Sequence, residues 1–98
     1  MTIVRIEEIG RFYSSGDEEA FFFWLKSIPA VKSFTGKHKG LSVEIADPID
    51  DDSLRELIGL LSRYEINMSC LRLLAHDQNA SWLKDKDRYW YNSIWQSA

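Results

Sequence analysis

The chain has 98 residues, of which 45% are hydrophobic and 28% charged, and 15 acidic against 12 basic side chains leave a formal charge of −3. That length and balance describe one packed domain rather than a disordered segment, and a net negative chain without a basic stripe argues against a nucleic-acid partner. The single Cys70 excludes an intrachain disulfide, and the longest apolar run, Ala20 to Leu25, is far short of the roughly 20 residues needed to cross a bilayer. The opening MTIVRIEEIG is acidic from Glu7 onward and lacks a long apolar run. It does not read as a signal peptide, and a cytoplasmic location is expected by elimination.

Residues 1–13 alternate imperfectly between apolar and charged, through Ile3, Val4, Ile6, Ile9 and Phe12, and fit either a strand or a short helix. Ser14-Ser15-Gly16-Asp17 reads as a turn leading into a helix over about 17–28. Asp17 is its expected cap, and Glu18 and Glu19 suit the positive end of the helix dipole. Ala20, Phe21, Trp24, Leu25 and Ile28 share one face of that helix, Phe22 and Phe23 flank it, and Pro29 ends it.

Two β-prone runs, about 31–35 and 41–45, surround Gly36-Lys37-His38-Lys39-Gly40 and predict a hairpin. In the second, Leu41, Val43 and Ile45 alternate with Ser42 and Glu44, as a strand with one buried face does. The first strand sets Lys32 and Phe34 against Val31, Ser33 and Thr35, and its inward face stays open. After an acidic loop, Ser53 with Glu56 carries a capping-box signature before a helix over about 53–64. Its inner stripe is Leu54, Leu57, Ile58, Leu61 and Tyr64. A shorter helix is expected over 68–77, with Met68, Leu71, Leu74 and Ala75 inward. A last one begins within 79–87 and runs to about 95, with Trp90 and Ile94 on one face. A lone hairpin is marginal. The expected architecture is therefore α+β: a small antiparallel sheet, with residues 1–12 as a candidate third strand, packed against four helices.

No constellation amounts to an active site. His38 between two lysines is a small basic tip, more simply a soluble turn. His76-Asp77 is the one His/Asp neighbour pair, but adjacent residues on a helix point about 100° apart, and Asp77 or Asn79 serves better as a cap. Two histidines and one cysteine without close spacing offer no zinc site, and Asp47, Asp50, Asp51 and Asp52 lack the order of a calcium loop. Cys70 lies in an apolar region and reads as buried and inert. No metal, cofactor or glycine-rich phosphate loop is expected. The aromatic C-terminus (Trp82, Tyr89, Trp90, Tyr91 and Trp95) reads first as a core closed by its last helix. Its sharper reading is an interface anchored by Tyr89, Tyr91 or Trp95 and rimmed by Lys84 to Arg88. Phe22 and Phe23 are the second aromatic candidates, and Asp50 and Asp51 the acidic ones.

Asp17 to Leu25, the hairpin through Ile45, Leu54 to Ile58, Arg63-Tyr64 with Met68 and Leu71, Asn79-x-x-Trp82 and Tyr89-Trp90-Tyr91 form a spacing pattern from residue 17 onward. The pattern resembles a group of small, mostly uncharacterised bacterial α/β proteins, with Ser62 and Ser93 standing where bulkier residues are expected. Small acidic proteins of this style include immunity proteins of polymorphic or contact-dependent toxin systems. The resemblance implies a cytoplasmic, bacterial, non-catalytic protein that binds a toxin domain, such as a nuclease, and covers its active site. Neither nucleic acid nor membrane is an expected partner. The rivals are a homo-oligomeric structural or regulatory protein, such as a homodimer with the same aromatics at its interface, and a small enzyme using His76 and Asp77.

Overall fold

The computed structural model describes residues 1–7, 9, 12–37 and 40–95. The chain runs β1 (Thr2–Ile6), α1 (Ser15–Ser27), β2 (Val31–Lys37), β3 (Gly40–Ile45), α2 (Asp51–Arg63), a 3₁₀ turn (Ser69–Leu74), α3 (Ala80–Leu83) and α4 (Tyr91–Trp95). The fold is α+β, a three-stranded antiparallel sheet packed against several helices. The first residues form a strand, and the sheet order is β1-β3-β2. The basic hairpin tip at His38 and Lys39 lies outside the described residues.

The sheet register follows from which side chains leave water. Val43 on the central strand pairs with Val4 on one side and Phe34 on the other, while Leu41 faces Ile6. The odd spacing of β2 is resolved by a bulge. The register shifts between Val31 and Ser33, so Lys32 is the extra residue and both Val31 and Phe34 reach the inner face. A bulge and a lysine on this outer strand also make it a poor template for another strand. Gly40 is required where β1 meets β3. A Cβ there would overlap the Ile6 carbonyl oxygen and stand 2.6 Å from that of Glu7.

Helix α1 starts earlier than its charges predict. Ser14 caps it, accepting from the Asp17 amide at 3.2 Å, while the Asp17 carboxylate accepts from the Tyr13 amide at 3.1 Å. Phe21, Leu25 and Ile28 are buried beneath it, whereas Ala20, expected inward, is exposed. Phe21 makes edge-on contacts with Phe22 and Tyr64, and Phe22 stacks on Phe34 at 5.6 Å. The inner face is therefore centred on 21, 25 and 28, which turns residue 20 to solvent.

Helix α2 lies antiparallel to α1. Three contacts fix the pairing: Tyr64 Oη donates to the Asp17 carbonyl at 3.4 Å, Trp24 Nε1 to Glu56 Oε1 at 2.9 Å, and the Ala30 amide to Ser53 Oγ at 3.2 Å. The expected capping box at Ser53 and Glu56 is not what forms. Asp50 caps α2, accepting from the Ser53 amide at 3.0 Å. Ser53 is fully buried and its hydroxyl serves the loop after α1, while Glu56 is held by Trp24. Leu54, Leu57, Ile58, Leu60 and Leu61 close the core, each contributing about 1.5–3 kcal/mol by leaving water.

The chain after α2 departs from the sequence reading. The helix expected over 68–77 is a 3₁₀ turn packed beside β1, with Met68, Leu71 and Leu74 buried. The single last helix is two short ones, because Lys84 to Arg88 form turns instead: the Asp85 amide donates to Trp82 O and the Arg88 amide to Asp85 O. Trp90 and Ile94 do share the buried face.

Candidate functional site

The outer stripe of α1 is built by helical spacing alone. Ser15, Glu18, Glu19, Phe22, Phe23 and Lys26 border a shallow depression of about 490 Å³. Phe22 is half-buried, its ring committed to Phe12, Phe21 and Phe34. Phe23 is 77% exposed, on the side of the helix turned away from the core. Glu19 precedes it by four residues and Lys26 follows by three, so an aromatic side chain stands among charges on one helix face.

A second concave surface joins the end of α2 to the start of α4. Leu61, Ser62, Glu65, Ile66, Asn67, Met68, Ser69, Tyr89, Asn92 and Ser93 border a groove of about 860 Å³. Ser62 and Ser93 are both at its margin, and small side chains there leave the space open. Tyr89 is 68% exposed, with its ring edge-on to Trp90 at 5.1 Å. Helix α2 ends beside this groove in a Schellman turn. The Ile66 amide donates to Leu61 O at 2.9 Å and the Glu65 amide to Ser62 O at 3.2 Å, with Glu65 in the left-handed region at φ 54°.

The other expected contact residues separate into different places. Tyr91 and Trp95 are half-buried, and Trp95 donates its indole N–H to Leu83 O at 3.2 Å. Asp50 and Asp51 are exposed at the opposite end of α2 from Tyr64. Thirteen residues of helix put about 20 Å between those ends, so Asp50 and Asp51 do not share a surface with Tyr89. The acidic residues 17–19 lie at the Tyr64 end instead, through the Tyr64–Asp17 contact. Sequence reasoning missed Glu65, Asn67 and Asn92. The one available signal was a glutamate directly after the helix, where glycine is the usual terminator.

The titratable groups mostly serve the fold. The Ser53 hydroxyl and amide beside Asp50 hold its carboxyl below the ordinary range. Burial, then the Asp17 charge, raises the Tyr64 phenol. Burial pushes the Cys70 thiol up to about 11. His76 Nδ1 accepts from the Gln78 amide at 3.2 Å, which places the ring proton on Nε2, donated to Ile49 O at 3.2 Å. The Nε2 bond staples the loop before α2 to the loop before α3, the Nδ1 bond stays within the latter, and Asp77 is exposed. Asn79 is buried and satisfied, donating to Leu74 O and accepting from the His76 amide, each at 2.9 Å. Among the described residues no group of three His, Cys, Asp or Glu is placed to hold a metal, and no helix is long and apolar enough to cross a membrane.

Comparison of the chain with protein-family models, with curated proteins and with solved structures found no match, so these surfaces carry the functional reading.

Proposed function

We propose that this is a cytoplasmic binding protein that neutralises a cognate bacterial toxin domain, in the manner of an immunity protein, by covering the toxin's active site. The observation that supports the reading is Phe23, 77% exposed on a helix face it shares with Glu18 and Glu19. An aromatic ring that contributes nothing to its own core gains apolar burial only when a partner covers it. Glutamates beside it favour a basic partner surface, which is the character of a nuclease substrate groove. The action is steric: Phe23 anchors, the glutamates steer, and the domain occludes the cleft.

The test is co-expression with toxin domains encoded beside the gene, followed by purification and native mass measurement of any complex. Protection together with a stoichiometric complex is expected. Phe23→Ala and Glu18→Lys/Glu19→Lys should each weaken it about tenfold with the fold unchanged, as loss of an anchor or a complementary charge does. Absence of protection by a folded protein against every such domain sinks the reading. A clean dimer mass that Phe23→Ala abolishes favours the homo-oligomeric alternative. Protection that His76→Ala removes, with folding preserved, favours the enzymatic one.

A further inference from the structure

The groove beside Tyr89 has a chemistry of its own. Its floor is apolar, formed by Leu61, Ile66 and Met68, all buried in the core. Its lining carries one carboxylate, Glu65, and no basic side chain. Glu65 forms no ion pair among the described residues. It also occupies a left-handed backbone position that glycine fills more easily, so the fold gains nothing visible from a glutamate there. Tyr89, 68% exposed, borders the same groove. A carboxylate and an exposed aromatic ring beside an apolar floor are complementary to a flat cation with an aliphatic stem.

We infer that this groove receives an arginine side chain from the protein partner, its guanidinium over the Tyr89 ring and hydrogen-bonded to the Glu65 carboxylate. Arginine fits better than lysine. Its planar fork pairs two N–H groups with one carboxylate while its face stacks on tyrosine, and Asn92 adds a carbonyl acceptor. Position supports the charge argument. Glu65 follows Tyr64, whose hydroxyl meets the Asp17 carbonyl, so the groove shares an end of the helical layer with Asp17, Glu18 and Glu19. The inference rests on the binding reading above and adds the side chain recognised.

The probe is a blocked Gly-Arg-Gly tripeptide, with the citrulline tripeptide as its neutral isostere, titrated into the isotopically labelled 98-residue chain by NMR. Saturable shifts at Glu65, Asn67, Ser69, Tyr89 and Asn92 are expected with arginine and absent with citrulline. Glu65→Gln should weaken binding about tenfold and Tyr89→Leu about threefold, the ranges of a charge-assisted hydrogen bond and an exposed cation–π contact. Shifts centred on Asp50 to Asp52, equal shifts with citrulline, or indifference to both variants overturn the inference. The two proposals fail separately. A toxin complex weakened by Phe23→Ala but untouched by Glu65→Gln and Tyr89→Leu overturns the groove and keeps the binding function. Arginine-dependent binding in this groove without protection against any toxin domain supports the groove and sinks the toxin reading.

Discussion

Trp90 and Trp95 donate their indole N–H groups to one acceptor, the carbonyl oxygen of Leu83, at 3.1 and 3.2 Å. Leu83 closes α3, and a carbonyl at a helix end has no partner within the helix. Helix α3 has only four residues and does not hold itself together. Two indoles fill both lone pairs of its last carbonyl, Arg55 lies 4.2 Å over Trp82, and Arg72 Nε donates to the Ile94 carbonyl. The aromatic C-terminus is thus largely a device for closing a core without long helices, and only Tyr89 is left fully outside it.

This shared acceptor predicts coupled mutational costs. Trp95→Phe leaves the Leu83 carbonyl satisfied by Trp90 and should cost about 1 kcal/mol. Trp90→Phe, at a buried site, should cost about 2 kcal/mol. The double variant should exceed the sum by about 1 kcal/mol, because only then is the carbonyl orphaned. Urea denaturation of the four proteins measures the coupling, and strict additivity contradicts a shared acceptor.

Glu65 predicts a stabilising substitution. At φ 54° a side chain crowds the following carbonyl, at a cost of about 1–2 kcal/mol that glycine avoids. Glu65→Gly should therefore raise stability by about 1 kcal/mol, net of glycine's greater freedom when unfolded, with Glu65→Ala near neutral. Equal denaturation midpoints for Glu65→Gly and the native chain count against the strained turn.

Asp50 predicts an acid-sensitive helix start. Its folded carboxyl lies below the ordinary 3.8 because ionised Asp50 accepts hydrogen bonds from Ser53. The unfolded chain takes up that proton first as pH falls, so the stabilisation is full above the ordinary value and is lost on acidification through and below it. Asp50→Ala should cost about 1 kcal/mol at neutral pH. Asp50→Asn keeps a capping oxygen and should show a shallower loss of melting temperature between about pH 5 and pH 3. Parallel acid profiles for the native chain and Asp50→Asn would falsify the assignment.

Much of the fold was legible in local pattern. The alternation at Leu41, Val43 and Ile45 and the stripe from Leu54 to Leu61 depend on neighbours in sequence, whereas Ser15 and Gly16, read as a turn, are the first residues of α1. The misplaced starts of α1 and α2 arose because several acidic or hydroxyl residues stood at each boundary, and tertiary contacts chose among them. Ser53 looked like a cap, yet its hydroxyl is used by Ala30, 23 residues away. Lys32 as a bulge could not be read from β2 alone, since the register is set by β3. The candidate surface was legible as aromatic excess at Phe23 and Tyr89. Its acidic partner Glu65 was not, because the groove exists only once α4 returns to the end of α2.

Cys70 predicts the behaviour of the alkaline limb. Burial lifts its thiol from the ordinary 9.0 to about 11. Above pH 9.0 the unfolded chain releases this proton while the folded chain retains it until about 11. The unfolded state then binds fewer protons, so stability falls as pH rises across that interval and the loss is complete above it. The raised Tyr64 phenol acts with the same sign, because burial and the Asp17 charge disfavour its ionised form too. Denaturation midpoints should therefore drop between pH 9.0 and about 11, less steeply in Cys70→Ala, and least in Cys70→Ala/Tyr64→Phe. The same burial predicts chemistry. A thiol held protonated reacts slowly with iodoacetamide near neutral pH, and its rate should rise sharply across the urea transition. Alkylation of the native chain at the rate of a free cysteine, with the alkaline slope unchanged in Cys70→Ala, would show that the thiol is not shielded by the packing of the 3₁₀ turn against β1.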